Sequence, residues 1–273
     1  MKVVDVMQRN VVTVTEGDAL ALARQLMLWR GVRHLPVVRT GRVVGMLSER
    51  DLLSWIGPEG VQHAIEGTVE DAMKRPVETI EPWAPLADAA ATMSVKKLGC
   101  LPVVNEGELV GIITNTDLLG SMAQYPLPEA GPDTLDAGAI MTTDLQAALS
   151  DDPLLDAAAR MFQHGSRHLP VMDGMQRVVG MLSDRDIREA IGNPLLALED
   201  KTRSARIASL RVSDAMTREP RTFSIDSPLS LLVGALVEEN FGAVPVVDEE
   251  GRLLGIVSYI DLLKVLQRQL AAR

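Results

Sequence analysis

Aromatic residues are scarce in this 273-residue chain, at 3% of positions, which leaves little with which to stack bases along a nucleic-acid strand. Positive charge is in deficit as well: 27 Lys and Arg against 37 Asp and Glu give a formal net charge of −10. A chain of that sign has no field to displace the counterions of a nucleic-acid backbone, so a nucleic-acid partner is excluded. The lone cysteine, Cys100, rules out an intramolecular disulfide and the cysteine-rich zinc sites. No apolar run reaches the roughly 18 residues of a membrane span, and Met1-Lys2-Val3-Val4-Asp5 has no signal-peptide core. The expected address is therefore the reducing cytoplasm.

What the chain does contain is one stretch written four times. It runs Arg33-His34-Leu35-Pro36-Val37-Val38, crosses a Gly41-Arg42 turn and closes with Ser48-Glu49-Arg50-Asp51. The other copies are Gly99-Cys100-Leu101-Pro102 to Thr114-Asn115-Thr116-Asp117, Arg167-His168-Leu169-Pro170 to Ser183-Asp184-Arg185-Asp186, and Gly242-Ala243-Val244-Pro245 to Ser258-Tyr259-Ile260-Asp261. Gly45, Gly111, Gly180 and Gly255 each stand six positions before the closing aspartate. From Asp51 to Asp117, Asp186 and Asp261 the steps are 66, 69 and 75 residues. A unit that small buries little surface alone, so the repeats are expected to pack in pairs.

Hydrophobic periodicity gives each repeat the order β-α-β-β-α, hence an α+β (α/β) chain. In repeat one, Asp18 is expected to cap a helix over 19–30 stopped by Gly31. Leu22, Leu26 and Trp29 recur at helical spacing and are read as its core face. Two apolar runs then form a hairpin, and Ser48 with Asp51 resembles a capping box at the start of a second helix. Pro85, Pro153 and Pro228 lead the corresponding helices of later repeats, Pro85 at the first helical position. Repeats are expected at 1–58, 66–122, 138–192 and 210–273, with a proline-rich linker at 123–137 and a connecting segment at 193–209. Lys201, Arg203 and Arg206 there, with Arg211 just beyond, form either a solvated face or a docking surface for an acidic partner.

The Asp-x-Met openings (Asp5-Val6-Met7, Asp71-Ala72-Met73, Asp214-Ala215-Met216), the Pro-Val strand, the glycine-led second strand and the Ser/Thr-x-x-Asp ending resemble the cystathionine-β-synthase (CBS) domain family along essentially the whole chain. The resemblance implies two modules of paired repeats, each with two clefts related by a pseudo-twofold axis, that bind adenosine-containing ligands. It implies ribose contacts for Asp51, Asp117, Asp186 and Asp261, and phosphate contacts for the basic residues ahead of the Pro-Val strand. A threonine near Thr13, Thr79 and Thr222 would touch the same cleft; repeat three has Ala147 instead.

The residues themselves support a similar division. A hydroxyl and a carboxylate three residues apart at a helix start point the same way, so Ser48, Thr114, Ser183 and Ser258 with their aspartates either hold a ribose and anionic oxygens or only cap the helix. Repeats one and three add Arg33, His34, Arg50 and Arg167, His168, Arg185, where repeats two and four have neutral residues. Because charges beyond roughly 8 Å are screened, the cations beside each cleft decide which ones can hold a phosphate. A guanidinium about 4 Å from a phosphate charge is worth about 4 kcal/mol at a surface-like dielectric. Two nucleotide sites are expected, at repeats one and three. Their residues are Thr13, Arg33, His34, Pro36, Ser48, Arg50, Asp51, Arg167, His168, Pro170, Ser183, Arg185 and Asp186, with Thr114, Asp117, Ser258 and Asp261 in weaker clefts. Adenine is expected against Val11, Val32, Met46, Gly165 and Met181.

His34, His63, His164 and His168 lack metal-ligand or triad spacing, so neither turnover nor a metal is expected. The reading is a regulatory sensor of AMP, ADP, ATP or S-adenosylmethionine acting on a protein partner, with a homodimer compatible. The alternative is a ligand-free scaffold docking an enzyme or transporter.

Overall fold

The structure, a computed structural model, describes residues 1–53, 55, 66–122, 135–191, 207–238 and 241–271. His63, most of the linker, and Lys201, Arg203 and Arg206 lie outside them. Repeat one supplies a 3-10 turn (Val3–Asp5), α1 (Leu20–Arg30), β1 (His34–Arg39), β2 (Arg42–Ser48) and α2 (Glu49–Leu53). Repeat two supplies α3 (Val69–Ala72), α4 (Leu86–Val95), β3 (Cys100–Asn105), β4 (Glu108–Thr114) and α5 (Asn115–Met122). Repeat three follows with α6 (Ala137–Ile140), β5 (Ala148–Leu149), α7 (Leu154–His164), β6 (His168–Met172), β7 (Val178–Ser183) and α8 (Asp184–Ile191). Repeat four has α9 (Val212–Ala215), β8 (Thr217–Arg218), β9 (Phe223–Ser224), α10 (Leu229–Glu238), β10 (Ala243–Val247), β11 (Leu253–Ser258) and α11 (Tyr259–Ala271). The chain divides into two compact units, Met1–Ser121 with Leu263–Arg273, and Met122–Leu262.

All four hairpins share one register. Pro36 faces Met46, Pro102 faces Ile112, Pro170 faces Met181 and Pro245 faces Ile256, with a bulge two residues after each proline. A proline inside a central strand normally costs a ladder bond. Here Val14 N donates to the Pro36 carbonyl at 3.2 Å and Val38 N donates to Val14 at 2.9 Å, so the parallel neighbour needs no amide from position 36. Ile80 does the same with Pro102 and Val104.

The openings are exchanged. Each opening segment, the three Asp-x-Met ones and Gly138-Ala139-Ile140-Met141 of repeat three, leaves its own repeat and completes the sister repeat of the same unit. Lys74 exchanges both backbone hydrogen bonds with Met46, and Gln8 does so with Ile112. In the second unit β8 forms the edge of the sheet β5-β6-β7-β8, and Thr142 pairs with Ile256. The core built on Leu20, Met27, Leu35 and Leu47 therefore includes Val69, Ala72 and Met73 from repeat two. Likewise the core around Leu154, Leu169 and Leu182 includes Val212.

This exchange explains the repeated glycine. A Cβ at Gly45 would lie 2.2 Å from Met73 Sδ, and at Gly111 2.7 Å from Met7 Sδ; Gly180 and Gly255 meet Met216 and Met141 at 2.4 and 2.7 Å. The opening methionine of one repeat packs flat on the glycine of the other, and any side chain there would be driven into it.

The exchange also corrects the expected helix caps. Asp18 does not cap α1: its carboxylate accepts from Thr15 N at 2.6 Å, and α1 starts one residue past Ala19. The first helical amide, Leu20 N, donates instead to the Gly67 carbonyl of the sister opening at 3.1 Å, and Leu86, Leu154 and Leu229 donate to Met1, Leu210 and Leu135 at 3.0–3.3 Å. Pro85 accordingly precedes α4 as its N-cap rather than occupying the first helical position. Gly31 ends α1 at φ +63° as expected.

The expected core face of α1 is also corrected. Leu20, Ala23 and Met27 are buried, whereas Leu22 is 41% and Trp29 76% exposed. Only Leu26 of the expected stripe packs against the core. The helix is apolar on two sides, and the side carrying the small Ala23 is the one that meets the sheet.

A salt-bridge cluster joins the repeats of the first unit: Arg39 reaches both oxygens of Glu16 at 2.7 Å, and Arg75 reaches Glu16 at 2.9 Å and Glu70 at 3.2 Å. The Arg39 hydrogen bond, outweighing burial and joined by the charges of Arg39 and Arg75, holds the Glu16 carboxyl below its ordinary 4.5. A depressed carboxyl contributes stability that is present above its unfolded-state value and is lost as pH falls through the folded-state one. Glu16→Gln should melt roughly 1–3 °C below the parent at neutral pH. That gap should close as pH drops below 4.5, read by thermal denaturation across pH.

Candidate functional site

In every repeat the closing aspartate accepts from the Ser/Thr three residues before it, and in repeats one to three its own backbone N donates back to that hydroxyl. Asp51 Oδ2 accepts from Ser48 N at 2.9 Å and from Ser48 Oγ at 2.5 Å, and Asp51 N donates back at 3.3 Å. Asp117 Oδ2 takes Thr114 N and Oγ1 at 2.8 and 2.7 Å, Asp186 Oδ2 takes Ser183 N and Oγ at 2.7 Å each, and Asp261 Oδ2 takes Ser258 N and Oγ at 2.9 and 2.7 Å. The hydroxyl therefore spends its proton on the aspartate instead of facing outward. One carboxylate oxygen per repeat, with two lone pairs, remains to meet anything else.

The hairpin register carries the basic pair to the same place. His34 sits opposite Ser48 and His168 opposite Ser183. Glu49 N donates to the Arg33 carbonyl at 2.9 Å and Asp184 N to the Arg167 carbonyl at 3.0 Å. Residues 14 to 17 apart in sequence thus meet at the first turn of α2 and of α8, where Arg50 and Arg185 are half-buried. Repeats two and four bring Cys100 opposite Thr114 and Ala243 opposite Ser258.

Their glycines have a second reason. A Cβ at Gly99 would lie 2.8 Å from the His34 ring, and at Gly242 2.3 Å from the His168 ring. The histidine of the odd repeat lies over the bare backbone of the even one, so a cation at 99 or 242 would displace it. Arg167 further donates from Nη1 to the Tyr259 hydroxyl. At the matching position the first unit has Asn115, whose buried Oδ1 has no hydrogen-bond partner among the described residues.

Pro36 and Pro170 are buried in the central strands, and Thr13 is half-buried beside Val14. Thr79 and Thr222 are exposed, and the Ala147 carbonyl accepts from Arg160 Nη1 at 2.9 Å. Of the residues expected around adenine, Val11, Val32 and Met46 are half-buried, Met181 is buried and Gly165 is exposed. Sequence reasoning missed the position just after the opening methionine. Gln8 Nε2 donates to Asp117 Oδ1 at 2.7 Å, Thr142 Oγ1 to Asp261 Oδ1 at 3.4 Å, and Lys74 Nζ stands 3.8 Å from Asp51 Oδ1. The only available signal was the shared column of the openings, because a side chain crossing between repeats leaves no local periodicity.

Cys100 is a small buried hydrophobe of β3: it is 6% exposed, and burial pushes its thiol up to about 12. Iodoacetamide at pH 8 should leave the folded protein unlabelled and modify one thiol once urea unfolds it, a contrast of at least about 100-fold in rate. Among the described residues no group of three or more His, Cys, Asp or Glu could hold a metal ion, and no helix is long and apolar enough to cross a membrane.

The CBS domain family model matches residues 3–58, 69–124, 137–193 and 212–268. The chain belongs to the CBS domain family. Protein MJ1225 of Methanocaldococcus jannaschii is 28% identical over 276 residues, spanning 94% of this CBS chain and 95% of that protein. The crystal structure of MJ1225, described as a proposed archaeal homologue of g-AMPK, is similar with TM-score 0.78 at 26% identity, covering 97% of this chain and 99% of that one. A Pyrococcus horikoshii protein, 23% identical with TM-score 0.65 over 97% and 100% of the two chains, shares the fold. Homoserine O-acetyltransferase of Methanococcoides burtonii is 37% identical over 126 residues, or 46% of this chain but 24% of that enzyme. The matched stretch thus takes in about half of this chain and about a quarter of that enzyme.

Proposed function

We propose that this CBS protein is a non-enzymatic sensor that takes an adenine nucleotide of the AMP, ADP or ATP class at repeats one and three and passes the signal to a protein partner in the cytoplasm. One observation carries the reading. Arg33-His34 and Arg167-His168 sit at the same turn as the closing aspartates Asp51 and Asp186, each of which keeps an oxygen outside its helix cap. A ribose diol on that oxygen would set the phosphate toward the guanidinium and the helix amides. The likeness along nearly the whole chain to MJ1225, described as a proposed homologue of g-AMPK, supports the same class. Signalling then requires different affinities for two shapes of the module.

Isothermal titration with AMP should give two molecules per chain. Asp51→Ala with Asp186→Ala should abolish both the binding and the ligand-induced rise in melting temperature, which in the parent reflects a stabilisation of about 3 kcal/mol per site at a hundredfold excess over Kd. No binding of any adenylate by the parent would sink the reading. The scaffold alternative has its own observation in Leu28 and Trp29 of α1, 67% and 76% exposed. It predicts self-association lost in Trp29→Glu, with no ligand effect on melting.

A further inference from the structure

The four closing aspartates differ in what meets the oxygen left over from the helix cap. Asp117 Oδ1 accepts the Gln8 amide at 2.7 Å. Asp261, only 7% exposed, has Thr142 Oγ1 at 3.4 Å from the same oxygen. Asp51 Oδ1 has no hydrogen bond among the described residues, only the ammonium of Lys74, itself 75% exposed, at 3.8 Å. Asp186 Oδ1 has no partner among them; the matching residue, Thr217, pairs through its backbone with Met181. The division falls between even and odd repeats, the same division that the arginines make, yet it comes from a different column of the sequence.

We propose that Gln8 and Thr142 are built-in occupants of the even clefts. Each places a neutral donor from the sister repeat's opening on the carboxylate oxygen that would otherwise accept a ribose hydroxyl. An N–H or O–H at hydrogen-bond distance offers the aspartate what a sugar hydroxyl offers, without the cost of immobilising a free ligand. Gln8 is held in place because its own backbone N and O both bond to Ile112, at 2.8 and 2.9 Å. The even repeats thereby keep their aspartates satisfied without a ligand, and the opening segments fix how many sites the chain has. The inference rests on the ribose role assigned to these aspartates above.

The test uses the full chain and adenosine, which has no phosphate and so needs no arginine. Gln8 is exposed and its backbone contacts survive truncation, so Gln8→Ala should fold. Titration calorimetry should find two adenosine sites per chain in the parent and three in Gln8→Ala, the added site binding roughly tenfold to a hundredfold more tightly than in the parent. Asp117→Ala in that background should remove the third site. Thr142→Ala, with a weaker contact to lose, should show a smaller gain at the fourth. A folded Gln8→Ala protein with the parent's count overturns the inference while leaving the odd sites standing. A parent that binds nothing, beside a Gln8→Ala variant that gains one site, supports the inference and discards the assignment of the odd clefts.

Discussion

Gly45→Ala is expected to melt roughly 3–10 °C below the parent, on an overpacking cost of about 1–3 kcal/mol. The added methyl would fall 2.2 Å from Met73 Sδ and 3.3 Å from Val37 Cβ, with no backbone atom among its nearest neighbours. Because the obstruction is a flexible side chain, Met73→Ala should rescue it. Alone, that truncation should cost about 2–5 kcal/mol; combined with Gly45→Ala it should cost less than the sum by about 1–2 kcal/mol. Gly111→Ala and Gly255→Ala should be worse and less rescued, since there the methyl also comes within 3.0 Å of the Gln8 and Thr142 carbonyls. Calorimetric melting of the two single variants and the double variant reads the coupling. Strict additivity at Gly45 and Met73 would show that the openings do not pack as described.

The second large effect concerns charge. Arg33→Ala and Arg167→Ala should each weaken AMP at one site by about 10- to 100-fold, the size of a charge-assisted hydrogen bond lost from a half-exposed cleft. Adenosine should change by less than about twofold, and the AMP defect should shrink in high salt. Arg167 also holds the Tyr259 hydroxyl, so Tyr259→Phe separates the two jobs. If Arg167 acts on phosphate, Tyr259→Phe should retain most AMP binding while Arg167→Ala does not. Equal losses for AMP and adenosine would mean that these arginines only brace the cleft.

Much of this architecture was legible in the residues. The hairpins and the capping box made with aspartate follow from local rules of turn, strand and cap, and both are found in the structure. The expectations that failed share a cause. Asp18, Pro85 and the Leu22–Trp29 stripe were read as though a repeat finished its own helix, but the first amide of α1 is capped by Gly67 and its floor is laid by Val69 and Met73. Local pattern has no term for a segment that packs in the sister repeat, on a glycine 28 to 114 positions away. The glycine six before each aspartate was visible as a column without a reason, and its reason, Met7, Met73, Met141 or Met216, stood in the neighbouring repeat all along.

The traded openings set a rule for how such a chain can be inherited. A deletion that removed one quarter would strip the survivor of a sheet edge and a helix cap, and would leave a methionine hanging over no glycine. Duplication or loss can therefore be tolerated only in twos, and a lineage descending from this protein should gain or shed its copies as couples.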